Sequence, residues 1–266
     1  MEYEYISSET QRLTFSHAGG QVVNWEIRQN QNESWTSLLY QGSSLKRSGI
    51  PILFPFANPL QNNIFNLTGR EIGQHGFGRN CAWKIVKNSE QDACLILTDS
   101  MIPQEMQLAY PFQFKVEISL RLTATFEFSY SLNVYNLSNK IMPIAPGLHP
   151  YFNVNHNLKS DLRIPQIENF KAESFKWDSK LSGDFYNFPN KVSVEFPEDY
   201  IINISDTSNN YKYLVVWSQG KLEQDYNFVC FEPFSRFTNA INDDPILILP
   251  DKHCNSELVF EYTKNI

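Results

Sequence analysis

The chain has 266 residues and a formal net charge of −7, and 42% of its residues are hydrophobic, 19% charged and 14% aromatic. This composition is typical of a globular protein with a sizeable core, and it excludes a disordered or low-complexity chain. The acidic balance argues against nucleic acid as a partner, because such a partner requires an excess of Lys and Arg to displace counterions.

The N-terminus and the cysteines indicate a compartment. The first six residues, Met-Glu-Tyr-Glu-Tyr-Ile, lack the basic and apolar regions of a secretory signal. No stretch approaches the ~20 consecutive apolar residues that cross a bilayer. The four cysteines, Cys81, Cys94, Cys230 and Cys254, contain no C-x-x-C pair, so we expect reduced thiols. We therefore expect a cytoplasmic protein with no membrane partner, and the sequence leaves its oligomeric state open.

Strand patterns recur along the whole chain. Apolar residues alternate with polar ones, or form short apolar runs between turn residues, at 22–27, 93–97, 114–123, 126–134, 192–196, 213–217, 228–231 and 258–262. The runs 114–123 and 126–134 predict an antiparallel hairpin. The best helical candidate, 100–108, is short. We predict one all-β domain over residues 1–266, built as a sandwich or a barrel.

Two loops between these strands carry polar side chains that could bind a ligand. The segment 47–58 contains Arg47 and two prolines within five residues, which predicts an irregular, tightly held loop. The segment 74–79 reads Gln-His-Gly-Phe-Gly-Arg, so His75 lies beside flexible backbone and Arg79 adds a planar set of donors. A proline-stiffened corner and a solvated surface turn are the alternatives without function.

Two later segments carry an imidazole and a carboxylate in apolar surroundings. His149 lies in Ala-Pro-Gly-Leu-His-Pro-Tyr-Phe (145–152) and could exchange a proton near neutral pH, unless it is a hydrogen-bonded core histidine. If 228–232 is a strand, Phe228, Cys230 and Glu232 share one face, and both faces are apolar. A carboxylate buried there needs donors, a cleft or a proton. A salt bridge to an arginine is the structural alternative.

Together and in this order, the segments resemble the aldose 1-epimerase (galactose mutarotase-like) family over nearly the whole chain. The motifs Arg-x-Gly-Ile-Pro-x-x-Phe-Pro at 47–55 and His-Gly-Phe-x-Arg at 75–79 are similar to those of the glucose-6-phosphate 1-epimerase branch. Gly-Leu-His-Pro-Tyr-Phe (147–152) and Cys-Phe-Glu-Pro (230–233) resemble the two catalytic segments of the family.

The resemblance implies a fold, an activity and a set of site residues. The fold would be a large antiparallel β-supersandwich, and the reaction would interconvert the α and β anomers of an aldohexose or a hexose 6-phosphate. His149 would be the general acid, Glu232 the general base and His75 a hydrogen-bonding partner of the sugar. Arg47 and Arg79 would bind hydroxyls or a phosphate. The partner would be a small sugar or sugar phosphate, with no cofactor and no metal.

One further residue and two departures concern the substrate. Asp184 is the best match to the family's substrate-binding Asp, although its flanking residues fit poorly. The stretch 57–60 lacks the Arg of free-sugar mutarotases, and Ser48 replaces a Gly that is usual in the sugar-phosphate branch. The net charge of −7 would repel a phosphate at long range, unless Arg47 and Arg79 both face the pocket.

The sequence is also compatible with two functions of other classes. One is a noncatalytic carbohydrate-binding or sugar-sensing protein of the same fold, which would not need both His149 and Glu232. The other is a metal-dependent β-barrel enzyme that uses His75, His149 and Glu232 as a two-His, one-carboxylate site. The His-x-His pair that usually accompanies such a barrel is absent from the sequence.

Overall fold

The computed structural model describes residues 3–179, 182–221 and 224–265. Strands dominate it, and helices are short. In chain order the strands are β1 (Tyr3–Ser7), β2 (Gln11–Ser16), β3 (Gln21–Ile27), β4 (Thr36–Ser37), β5 (Ile52–Leu53), β6 (Ile64–Phe65), β7 (Arg70–Glu71), β8 (Lys84–Asn88), β9 (Asp92–Thr98), β10 (Phe114–Ala124), β11 (Glu127–Asn136), β12 (Met142–Ile144), β13 (Gly147–Leu148), β14 (Tyr151–Asn153), β15 (Ser182–Asn187), β16 (Lys191–Phe196), β17 (Tyr200–Asp206), β18 (Tyr213–Ser218), β19 (Phe228–Phe234), β20 (Ile246–Ile248) and β21 (His253–Lys264).

The helices connect strands and are at most six residues long. Among the described residues, the α-helices are α1 (Gln104–Ala109) and α2 (Ala240–Asp243), and the 3₁₀ turns are Leu45–Arg47, Gln61–Asn63, Gly78–Asn80, Asp99–Met101, His156–Asp161 and Ala172–Ser174. In the part of the chain that the structure describes, no helix is long and apolar enough to cross a bilayer.

Three larger sheets form the frame. Their strand orders are β1-β2-β3-β4, β16-β17-β21-β11-β10-β9-β8, and β15-β18-β19-β13-β5, with β14 also paired to β19 in the last. The named strands pair antiparallel, including the hairpin of β10 and β11, in which Ile118 faces Leu132. The prediction of an all-β, antiparallel fold is therefore confirmed, and the helical candidate 100–108 overlaps α1.

The hydrophobic core lies between the seven-stranded and six-stranded sheets. Val116, Ile118 and Leu120 of β10 are buried and alternate with half-exposed polar neighbours. They belong to the same cluster as Val229 and Phe231 of β19. Each large apolar side chain buried in this way contributes about 1.5–3 kcal/mol, so the core holds the six-stranded sheet in place.

Strand β19 of the six-stranded sheet is buried on both faces, as the sequence predicted. Val229 and Phe231 point into the main core, while Phe228, Cys230 and Glu232 point to the opposite face. That opposite face, away from the seven-stranded sheet, carries the candidate site.

Candidate active site

A cavity of about 490 Å³ opens on this outer face of the six-stranded sheet. Its volume lies within the usual range for small-molecule sites. Five of the six residues predicted from the sequence line it, namely Arg47, His75, Arg79, His149 and Glu232. The structure therefore brings together side chains that are separated by as many as 185 positions in the chain.

Glu232 enters the cavity from β19 and is only 2% exposed. Its strand pairs with β18, where Val215 faces Glu232 and Trp217 faces Cys230. Among the described residues, the basic side chain within salt-bridge distance of its carboxyl is His149, so the alternative of a salt bridge to an arginine is wrong. Burial raises the pKa of the Glu232 carboxyl well above its ordinary value, against the opposing charge of Arg79.

His149 lies in the turn between β13 and β14 and is held by its backbone and its ring. Its N–H donates to the Pro51 carbonyl at 3.0 Å, and its imidazole stacks on Tyr151 with ring centroids 4.6 Å apart. The Nδ1 atom is buried and has no hydrogen-bond partner among the described residues. His149 is therefore not a core histidine with both nitrogens satisfied.

The two groups form a close acid/base pair. His149 Nε2 lies 3.3 Å from Glu232 Oε2. Burial, followed by the charges of His75 and Arg79, lowers the pKa of His149 well below its ordinary value. Both groups therefore favour their uncharged forms, a protonated carboxyl and a neutral imidazole. This form holds the same number of protons as carboxylate plus imidazolium, so a single proton transfer between the partners interconverts the two.

His75 lies edge-on to His149, with the ring centroids 5.6 Å apart. Burial and the charge of Arg79 lower its pKa to about 4, against a backbone hydrogen bond to Ala57. The Ala57 carbonyl can only accept, so His75 Nδ1 is the donor. The Nε2 atom of the neutral ring is then an acceptor for a ligand hydroxyl.

The loop around His75 needs unusual backbone angles. His75 and Gly76 have φ of 68° and 67°, and a Cβ on Gly76 would lie 2.2 Å from the Phe54 carbonyl oxygen. The missing Cβ of Gly76 therefore allows its backbone to lie close to the backbone of Phe54. It does not serve the approach of a ligand. His75 is buried, so the alternative of a solvated surface turn is wrong.

Two guanidinium groups present unused donors at the cavity. Arg47 Nη1 and Arg79 Nε are buried and have no hydrogen-bond partner among the described residues. Arg47 also lies over the Trp217 ring, with Cζ 5.6 Å from the centroid. Lys46 adds a third cationic side chain to the lining, whereas Glu232 is its one acidic side chain in the described part of the chain. The cavity is therefore locally basic, although the chain as a whole is acidic.

The loop that carries Arg47 is fixed by Asp225, which follows β18. Asp225 accepts from Tyr40 Oη and the Ser43 backbone N–H, each at 3.0 Å, and from Ser43 Oγ at 2.6 Å. Burial alone would raise the pKa of Asp225, but these hydrogen bonds and the charge of Arg47 bring it below its ordinary value. Ser48, the residue that departs from the family wording, donates to the Ser44 carbonyl at 2.8 Å within the same loop.

Asp184 does not lie in the cavity, in contrast to the expectation from the resemblance. It is exposed on β15, where its carboxylate accepts from the Phe185 N–H at 2.8 Å. Successive side chains of a strand point to opposite faces, and in β15 the neighbour Phe185 takes the cavity face. A larger cavity, about 680 Å³ beside Asn153, Tyr200 and Tyr262, contains none of the six predicted residues.

Sequence reasoning missed several other cavity residues, among them Trp217, Phe185, Asn58 and Lys46. Trp217 had a usable signal, because the predicted strand 213–217 places Tyr213, Val215 and Trp217 on one face. The other three have no local pattern that separates them from loop or edge residues.

The chain is similar to known proteins over nearly its whole length. The family model described as aldose 1-epimerase matches residues 3–256. The Slr1438 protein from Synechocystis sp. PCC 6803 has a similar solved structure, with a TM-score of 0.83 and 21% identity over 99% of this chain and 96% of that one. A galactose mutarotase related enzyme from Lactobacillus acidophilus gives 0.78 and 19%, over 99% and 98%.

A galactose mutarotase-like protein from Lactobacillus casei ATCC 334 gives a TM-score of 0.76 and 17% identity, over 98% of this chain and 100% of that one. Among curated proteins, none matches the sequence significantly. At these identities the solved structures show a shared fold, and the family model adds membership over nearly the whole chain. The chain therefore belongs to the aldose 1-epimerase family.

Proposed function

We propose that the protein is an aldose 1-epimerase that interconverts the α and β anomers of a hexose or hexose 6-phosphate. The observation that carries this proposal is the His149–Glu232 pair, 3.3 Å apart in the wall of a cavity sized for a small molecule. A noncatalytic sugar-binding protein would not need this pair, which is costly to bury.

In the proposed reaction the pair moves two protons in opposite directions. Glu232, as carboxylate, takes the proton of the anomeric hydroxyl while His149, as imidazolium, protonates the ring oxygen. The bond between C1 and the ring oxygen breaks and leaves an open-chain aldehyde. Rotation about C1–C2 presents the other carbonyl face, and ring closure with the proton transfers reversed gives the other anomer. The two anomers have the same oxidation state, so the reaction involves no net oxidation or reduction.

The remaining cavity residues would bind and orient the sugar. His75 Nε2 would accept from a sugar hydroxyl, because its Nδ1 is committed to Ala57. The free donors of Arg47 and Arg79 suit oxygen acceptors. Positioning of this kind makes the proton transfers effectively unimolecular.

We further infer that the preferred substrate carries a phosphate. Lys46, Arg47 and Arg79 face the cavity, and Arg–phosphate hydrogen bonds are stronger than those to neutral hydroxyls. The net charge of −7 acts over longer distances, where salt screens it beyond ~8 Å. The local cations therefore outweigh the charge of the whole molecule at the binding site.

Anomer exchange measured by NMR on glucose, galactose and glucose 6-phosphate, with the spontaneous rate subtracted, tests the activity. Glu232→Gln keeps the shape but removes the base, so we expect a loss of about 10²–10⁴-fold in kcat. Glu168→Gln, at an exposed position, is the matched control and should retain the wild-type rate. Full activity in Glu232→Gln would show that the proposed mechanism is wrong.

The substrate class is tested by Arg47→Ala. We expect kcat/KM for glucose 6-phosphate to fall at least tenfold more than kcat/KM for glucose, because only the phosphate ester makes the charged contact. Equal losses on the two substrates would instead indicate an enzyme for free sugars.

A further inference from the structure

Two side chains that line the cavity, His149 and Glu232, lie close to the buried thiol of Cys230, and together the three can ligate a metal ion. His149, Cys230 and Glu232 each offer one donor atom, and these atoms all lie within 4.8 Å of one another. Cys230 and Glu232 are two positions apart on the same face of β19, and Tyr151, two residues after His149, pairs with Cys230. The strand register therefore brings the three together.

The spacing suits a small tetrahedral ion. Zinc binds Cys, His and carboxylate ligands at about 2.0–2.3 Å, so neighbouring donor atoms lie about 3.3–3.7 Å apart. The distance of 3.3 Å between His149 Nε2 and Glu232 Oε2 already fits. The widest donor separation must close by about 1 Å, which a change of the Cys230 χ1 angle can supply. The cavity side is left for a fourth ligand, such as water.

The donor types select the ion as well. Thiolate, imidazole and carboxylate together favour zinc-class ions over Mg²⁺ or Ca²⁺, which prefer oxygen ligands. The set differs from the two-His, one-carboxylate site considered from the sequence, because the cluster of donor atoms contains Cys230 in place of His75. His149 is 5% exposed, and its Nε2 atom is the ring nitrogen that lies beside the Glu232 carboxyl.

We propose that His149, Cys230 and Glu232 form a binding site for Zn²⁺ or an ion of the same class, and that the bound ion inhibits the enzyme. The ion would replace the thiol proton of Cys230 and bind Glu232 as carboxylate. Two anionic ligands then balance the charge of the ion, and the displaced protons pass to solvent. The ion would occupy both members of the acid/base pair, so metal and sugar exclude each other. The inhibition, unlike the binding, rests on the proposed function.

Binding is tested without substrate, using Co²⁺ as a spectroscopic probe on the full chain. We expect one equivalent to bind, with a thiolate-to-cobalt charge-transfer band that Zn²⁺ abolishes. Cys230→Ser should lose the band and bind at least tenfold more weakly. Cys81→Ser removes another buried thiol, far along the chain at the end of a 3₁₀ turn, and should keep the band. Circular dichroism and thermal unfolding establish that each variant is folded, and Cys230→Ala provides a second substitution.

Inhibition is tested separately by anomer exchange. Zn²⁺ should inhibit the wild type competitively with the sugar, and Cys230→Ser should need at least tenfold more Zn²⁺, relative to its own metal-free rate. Retention of the band in Cys230→Ser, or equal inhibition of both proteins, overturns this inference. A metal site with the expected band in a protein without epimerase activity overturns the proposed function and leaves the binding site standing.

Discussion

Protonation of His75 should destabilise the folded protein, and this effect can be isolated by substitution. His75 is 9% exposed, and burial together with the Arg79 charge lowers its pKa to about 4 from an ordinary value of 6.5. Because the folded state binds this proton less readily than the unfolded state, the free energy of unfolding is unaffected above pH 6.5. It then decreases as the pH falls from 6.5 towards 4.

The size of the effect follows from the pKa shift. At about 1.4 kcal/mol per pKa unit, the shift of His75 corresponds to a loss of about 3 kcal/mol between pH 7 and pH 4. This is a large part of the stability of a typical domain, which is about 5–15 kcal/mol.

The variant His75→Asn removes the titrating group at little cost to the backbone. Asparagine tolerates the left-handed conformation that His75 adopts at φ 68°. We expect the free energy of unfolding of the wild type to drop by about 3 kcal/mol more than that of His75→Asn between pH 7 and pH 4. Urea unfolding followed by tryptophan fluorescence at both pH values measures this difference.

An exposed histidine provides the control. His253→Asn, on β21 at the surface, should follow the wild type at both pH values. His149 is present in all three proteins, so its own contribution largely cancels. If wild type and His75→Asn lose the same free energy between pH 7 and pH 4, the argument from burial of His75 is refuted.

Two further predictions concern the acid/base pair and the loop beside it. Since burial lowers the pKa of His149 and raises that of Glu232, the one-proton form of the pair should persist at neutral pH. The acid limb of kcat/KM should then lie below pH 6.5, and a limb at the ordinary histidine value would contradict this. Asp225→Asn should weaken the anchor of the Arg47 loop, costing about 1–3 kcal/mol in urea unfolding and raising KM more than it lowers kcat. Asp161→Asn, at an exposed position, is the control, and a fall in kcat alone would argue against a positioning role.

The central strands could be predicted because half-buried strands alternate visibly in the sequence. β10 and, apart from the buried Ser129, β11 bury every second residue over most of their length, and their predicted and observed bounds differ by only one or two positions. β8 was missed for the opposite reason. It lies at the edge of its sheet with almost all its residues exposed, so burial leaves no period of two in its sequence.

The two members of the proposed acid/base pair could be singled out because each lies in a short segment with a distinctive local pattern. Asp184 shows where such reasoning ends. Whether a strand residue faces the cavity or the opposite side depends on pairing with a distant strand, and a shift of one residue reverses the answer. The pairing of Asp184 with Val216 rather than Val215 cannot be derived from the residues around it.

β18 and β19 are buried on both faces, and this divides the effects of mutation along each strand. Positions such as Val216 and Phe231 contact the main core, where a change in volume affects folding. Positions such as Val215 and Trp217 contact the cavity, where the same change alters the space available to a ligand. Under the proposed function, substrate preference can therefore diverge between descendants of one ancestral sequence through every second residue, while the intervening residues preserve the fold.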